Sequence, residues 1–150
     1  MTQSEVIYLD NNSTTPVDPA VVEAMLPYFA SKFGNPSNPA HDYGLEALRA
    51  VEHARFQVAS LIGGESKEIV FTSGATESNN LAVLGAARGS RGRGNHVITT
   101  VIEHRAVLNP CRQLEREGMA VTYLPVDTRG RVSVDDLANA VTQEIGRAHV

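Results

Sequence analysis

The 150-residue chain has no tryptophan, one cysteine and only two lysines, and four phenylalanines and four tyrosines are its whole aromatic content. A single thiol, Cys111, cannot form an internal disulfide, so a reducing compartment is expected. No apolar run approaches the roughly 18 residues of a membrane-spanning helix. The opening Met1–Glu5 has neither the basic stretch nor the apolar run of a secretory signal. The expectation is a cytoplasmic, soluble chain with no membrane partner. Basic residues are in the minority, 13 Lys and Arg against 17 Asp and Glu, and the net charge of −4 argues against a nucleic-acid partner. There is no Gly-x-x-x-x-Gly-Lys-Ser/Thr loop and no Gly-x-Gly-x-x-Gly turn after a strand, which disfavours a nucleoside-triphosphate or dinucleotide site. His53 and His96 are isolated, and no metal-ligand spacing occurs.

What is present suffices for a core, because 42% of the residues are hydrophobic and a domain of this length buries roughly 70% of its unfolded surface. Two regimes divide the chain. Residues 1–42 form an irregular N-terminal segment with one helix, opened by Asp18-Pro19 and running to about Ala30. Phe33-Gly34-Asn35-Pro36-Ser37-Asn38-Pro39 follows with strong turn chemistry. Residues 43–143 alternate helices and strands. A long helix is predicted from Tyr43 to Ile62, closed by Gly63-Gly64. Strands are predicted at Glu68–Thr72, His96–Thr100 and Val121–Val126, with helices at Ala75–Ala87, His104–Glu117 and from Ser133 to about Val141. Such alternation predicts an α/β fold with a mostly parallel sheet.

Two stretches point to chemistry. In Phe71-Thr72-Ser73-Gly74-Ala75-Thr76-Glu77-Ser78-Asn79-Asn80 a predicted strand ends, a glycine allows a tight turn and a helix begins. The N–H groups of a first helical turn have no intrahelical partner and carry the positive end of the helix dipole, so they suit an anion. Ala75 keeps the backbone approachable and the Thr76 hydroxyl adds a donor. A plain turn capped by Ser or Thr has the same sequence. Glu103-His104 follows the second predicted strand, and in a parallel sheet ligands sit beyond the strands' carboxyl ends. An imidazole there can stack on a planar ring or relay protons, or it can simply start a helix.

In order and spacing, Leu9-Asp10-Asn11-Asn12-Ser13-Thr14-Thr15-Pro16, Gly34-Asn35-Pro36-Ser37 with His41, Thr72–Asn79 and Glu103-His104 together resemble the cysteine desulfurases of the class-V aminotransferase superfamily, in their housekeeping and nitrogen-fixation branch. The resemblance runs from about Tyr8 to Val141. Ser13 stands where alanine is commoner, and Asn38 where serine is usual. The resemblance implies a fold-type-I pyridoxal-phosphate transferase, here its N-terminal segment and the first part of the large domain, an incomplete domain. It implies that Ala75 and Thr76 hold the cofactor phosphate of pyridoxal 5′-phosphate. His104 would lie over the pyridine ring and move protons. The loops of Asn11–Thr15 and Gly34–His41 would face the substrate. By the same resemblance the parent enzyme takes sulfur from L-cysteine, releases L-alanine and leaves a persulfide for a sulfur-acceptor or iron–sulfur scaffold protein, as a homodimer.

Such chemistry needs a lysine to hold the aldehyde as a Schiff base. Lys32 ends a helix beside a glycine turn and Lys67 precedes a predicted strand, so neither has that setting. The family's Schiff-base lysine and nucleophilic cysteine are expected beyond residue 150, and the chain alone is expected to be inactive. Cys111, following Pro110 within a predicted helix, reads as a structural thiol. Residues 144–150, Glu144-Ile145-Gly146-Arg147-Ala148-His149-Val150, resemble an in-frame translation of a sequencing adapter, and a non-native tail is expected there. Arg88-Gly89-Ser90-Arg91-Gly92-Arg93-Gly94 reads as a solvated connector, although such runs also contact RNA. A selenocysteine lyase, a small-molecule aminotransferase of the same superfamily and a non-catalytic phosphate-binding module remain open.

Overall fold

The computed structural model describes residues 6–90, 94–143 and 145. Met1–Glu5, the Arg91–Arg93 part of the arginine–glycine run and, Ile145 aside, the expected tail from Glu144 lie outside the described residues. Among the described residues, five helices and two strands follow in the order α1 (Pro19–Ala30), α2 (Asp42–Ile62), α3 (Ala75–Gly89), β1 (His96–Thr100), α4 (Arg105–Arg116), β2 (Ala120–Leu124) and α5 (Val134–Ala140), with a 3-10 turn at Ser66–Glu68. The chain divides into two compact units, Met1–Val70 and Phe71–Val150. Among the described residues, no helix is long and apolar enough to cross a membrane.

In the first unit, α1 starts where the Asp18 carboxylate accepts from the Ala20 N–H at 2.8 Å, with Pro19 supplying a preset φ in the first turn. α2 starts at His41, whose Nδ1 accepts from the Gly44 N–H at 3.1 Å. It ends at Gly63 in the left-handed region, φ 71°, where a side chain would be strained. The predicted strand at Glu68–Thr72 does not form. Ile69 is extended, φ −92° and ψ 125°, but its N–H bonds the Ser66 carbonyl and its own carbonyl accepts from the Arg55 guanidinium. Among the described residues the sheet pairs only β1 with β2, and pairing is what makes an extended segment a strand.

In the second unit β1 and β2 pair in parallel, with His96 opposite Ala120 and Thr100 opposite Leu124. A parallel pair needs a crossover, and α4 provides it. Ala106, Pro110 and Leu114 recur every fourth residue of α4, a helical stripe that is buried together with Cys111. Leu114, Ala87 and Met119 form the centre of the core, with Val83, Leu84 and Val97 packed around them. α3 lies against α4. Arg88 near the end of α3 makes a two-pronged ion pair with Glu117, the C-cap of α4, at 3.2 and 2.5 Å. Helices that pack side by side with their C-terminal ends tied run in the same direction, so the N-termini of α3 and α4 lie at one end of the pair.

Cys111 is 1% exposed, and burial first, then the Glu115 and Glu103 carboxylates, push its thiol above its ordinary range. A protonated, enclosed sulfur is a poor nucleophile, in keeping with a structural thiol. Many large apolar side chains of the first unit are open to solvent, Leu61 at 85% and Phe29 at 74% among them. Along α2, Leu45, Leu48 and Val51 are half-buried, whereas Val58, Leu61 and Ile62 are exposed.

Candidate functional site

At the N-terminus of α3 the chain leaves a vacancy that its other helices fill. Asp18, His41, His104 and Ser133 each accept a hydrogen bond at the start of α1, α2, α4 and α5, but Gly74 at the start of α3 has no side chain to do so. A Cβ built on Gly74 would meet no atom within 4 Å, so the approach to the Ala75 and Thr76 N–H groups is open. Ala75 and Thr76 are both exposed.

The turn is held by side chains on either side of Gly74. The Glu77 carboxylate accepts from both the N–H and the hydroxyl of Ser73, each at 2.7 Å. The Thr72 and Ser78 hydroxyls lie 2.6 Å apart, and the Thr72 hydroxyl also donates to the Gly74 carbonyl at 3.2 Å. The Ser73 N–H, followed by the Ser73 hydroxyl, holds the Glu77 carboxyl below the ordinary carboxylate range.

His104 follows the carboxyl end of β1 and sits at the N-terminal end of the α3–α4 pair, as do Ala75 and Thr76. Its Nδ1 accepts from the Ala106 N–H at 3.0 Å, which caps α4. The neutral ring therefore carries its proton on Nε2. Neighbouring Glu103 accepts from the Thr100 hydroxyl at 3.1 Å, which ties the loop to the end of β1. Helix-start residue and exposed imidazole are thus realised in one side chain.

Unlike these three residues, the loops of Asn11–Thr15 and Gly34–His41 belong to the first unit. In the second loop Asn35 accepts from the Ser37 N–H at 2.9 Å, and the Asn38 amide nitrogen lies 3.5 Å from His41 Nε2. Lys32 pairs with Glu46 at 3.0 Å and Lys67 with Glu65 at 2.6 Å. Among the described residues, no cluster of His, Cys, Asp and Glu is arranged for a metal ion.

Sequence reasoning missed Glu77, whose signal is an acidic residue at the third helical position behind a glycine cap. It also missed the turn after β2, where the Asp127 carboxylate accepts from the N–H groups of Arg129 and Arg131 at 2.8 and 2.9 Å. The Arg131 N–H, then the Arg129 N–H, hold Asp127 below its ordinary range. A carboxyl whose folded value is depressed stabilises the fold above the unfolded value and loses that contribution as the pH falls through the folded one. Stability is therefore expected to fall on acidification below the ordinary carboxylate range. Urea midpoints measured against pH should show a shallower acid limb for Glu77→Gln and for Asp127→Asn.

The family model for class-V aminotransferases matches residues 7–149. Cysteine desulfurase IscS of Rickettsia akari (strain Hartford) is 56% identical over 138 residues, covering 92% of this chain and 34% of the relative. A solved NifS-like protein superimposes with a TM-score of 0.82 at 43% identity, over 89% of this chain and 36% of that one. SspA, solved in complex with cysteine, gives 0.76 at 42% identity, over 87% of this chain and 37% of that one. The chain thus spans about a third of the length of the relatives it matches.

Proposed function

From the chain's membership of the class-V aminotransferase family, with the fold of fold-type-I cysteine desulfurases, we infer that it is the cofactor-cradling amino-terminal part of a pyridoxal-phosphate-dependent cysteine desulfurase. The observation that carries this reading is the uncapped N-terminus of α3 behind Gly74, at the same end of the helix pair as His104.

The residues present fit the cofactor's phosphate. The first-turn N–H groups and the dipole favour an anion, and no Cβ stands at Gly74 to block it. The Ala75 and Thr76 N–H groups and the Thr76 hydroxyl would hold the phosphate. His104 would keep a proton at Nε2, because its other ring nitrogen is already engaged by the α4 backbone. When bound, the cofactor supplies the electron sink that carbon–sulfur cleavage requires.

L-Cysteine as substrate is supported by the name shared by the curated relatives and by the cysteine complex of SspA. L-Alanine and an enzyme persulfide would be the products, and a sulfur-acceptor or iron–sulfur scaffold protein would take the sulfur. The boundary near residue 42 would separate a substrate-side segment from the cofactor-binding part. A homodimer in a reducing cytoplasm is the matching assembly and compartment.

The test is a titration of the chain with pyridoxal 5′-phosphate and with pyridoxal, followed by backbone amide resonances. The phosphate-bearing form is expected to shift Ala75 and Thr76, and pyridoxal to leave them in place. Thr76→Val should weaken binding about tenfold, since a hydrogen bond to a charged group is worth ~1.5–3 kcal/mol. Unmoved Ala75 and Thr76 amides at saturating phosphate would sink the reading.

A further inference from the structure

Building on the phosphate reading of the α3 N-terminus, we propose that Glu77 is a positioning residue, which clips back onto Ser73 and so leaves the Ala75 and Thr76 N–H groups to an anionic ligand. A glutamate in the first turn has two places to put its charge. It can fold over the N–H groups of its own helix, where the dipole favours it, and then it competes with any anion for the same donors. In this chain it does the other thing. One carboxylate oxygen takes both the N–H and the hydroxyl of Ser73, the residue before the cap, at 2.7 Å each.

The consequence is geometric. Ser73 is fixed to Glu77 and Thr72 to Ser78, so the two clips straddle Gly74 and hold the turn in its extended form, φ 159° and ψ −179°. Both ends of the turn are pinned by side chains, and neither clip uses the Ala75 or Thr76 N–H. Hydrogen bonds to an ionised carboxylate are about twice as strong as neutral ones, and the depressed Glu77 carboxyl stays ionised in neutral solution.

The proposal makes a prediction opposite in sign to that of simple charge. Removing a negative group beside an anion site should, by Coulomb attraction alone, tighten phosphate binding. If Glu77 positions the turn, Glu77→Ala should instead weaken it, by about tenfold for loss of a charge-assisted clip. Glu77→Gln keeps an acceptor oxygen for Ser73 and loses the charge, so it should stay within about threefold of the unsubstituted chain.

The probes are inorganic phosphate and pyridoxal 5′-phosphate, titrated into the full chain, with far-UV circular dichroism to confirm equal helix content. Hydrogen exchange of the Ser73 amide reads the clip without any ligand. It should be slow in the unsubstituted chain and in Glu77→Gln, and fast in Glu77→Ala. An alanine variant that binds phosphate as well as or better than the unsubstituted chain overturns the proposal. So does equal Ser73 exchange in all three proteins. An unsubstituted chain that ignores both probes overturns the phosphate reading and Glu77's part in it. In that case slow Ser73 exchange still reports the clip, which keeps the two failures apart.

Discussion

Incubated with pyridoxal 5′-phosphate and reduced with borohydride, the chain is expected to carry no pyridoxyl group at Lys32 or Lys67 beyond what free lysine acquires. It is likewise expected to release no alanine from L-cysteine. Covalent capture of an aldehyde needs a neutral amine, which enzymes obtain by burying the lysine or placing it beside another cation. Both lysines of this chain have the reverse environment. Lys32 is 3.0 Å from the Glu46 carboxylate. Its hydrogen bond with Glu46, and then the charge of that carboxylate, push the ammonium above its ordinary range. Lys67 is 79% exposed and 2.6 Å from Glu65. A protonated ammonium has no lone pair to attack with, so the Glu46 ion pair works against nucleophilic use of Lys32. Peptide mass spectrometry of the reduced protein checks this, and a stoichiometric pyridoxyl group on either residue would refute it. The phosphate response of Ala75 and Thr76 is expected to persist, because it depends on backbone donors and not on a lysine. Binding of the phosphate without covalent anchoring is thus the expected signature of the chain by itself.

How legible these features were in the sequence depends on how local their causes are. Asp18-Pro19 and Gly63 mark the start of α1 and the end of α2 because a cap acts within one turn. The opening at Ala75 and Thr76 was legible for the same reason, since a glycine before a helix leaves its first donors uncovered. The run Glu68–Thr72 misled because β propensity describes how a residue fits a sheet and says nothing of whether a neighbour strand is there. The His41 cap was not legible, since it acts through Nδ1 and a ring nitrogen is not among the usual cap acceptors, and at His104 the sequence offered a helix start without the Nδ1 bond that makes it. Glu77 was hidden in another way. Its position at the third residue of α3 was visible, but the direction of its carboxylate is a rotamer choice that sequence spacing does not determine.

Gly44→Ala is expected to be among the most damaging single substitutions in the first unit, and Gly85→Ala, the same chemical change, to be stabilising. A Cβ at Gly44 would stand 1.8 Å from the Asn38 carbonyl oxygen and 2.7 Å from its carbon. One at Gly34 would stand 2.0 Å from the Tyr43 carbonyl oxygen. These are backbone atoms on both sides, so no side-chain rotation relieves the overlap. The Gly34–Asn38 loop is thereby pressed directly against the first turn of α2, with Phe33 stacked on Tyr43 at 5.4 Å and Gly44 buried. The Gly44 N–H is also the donor that His41 caps, so pushing the loop away costs the cap as well. Overpacking usually costs ~1–3 kcal/mol, and a clash between two backbones should reach the upper end of that range or pass it. At Gly85, inside α3, a Cβ meets nothing within 4 Å, and replacing a mid-helix glycine by alanine gains about 0.5–1 kcal/mol. Urea denaturation of the two variants should therefore move the midpoint in opposite directions. A Gly44→Ala chain as stable as the parent would mean that the loop does not lie against α2 as described.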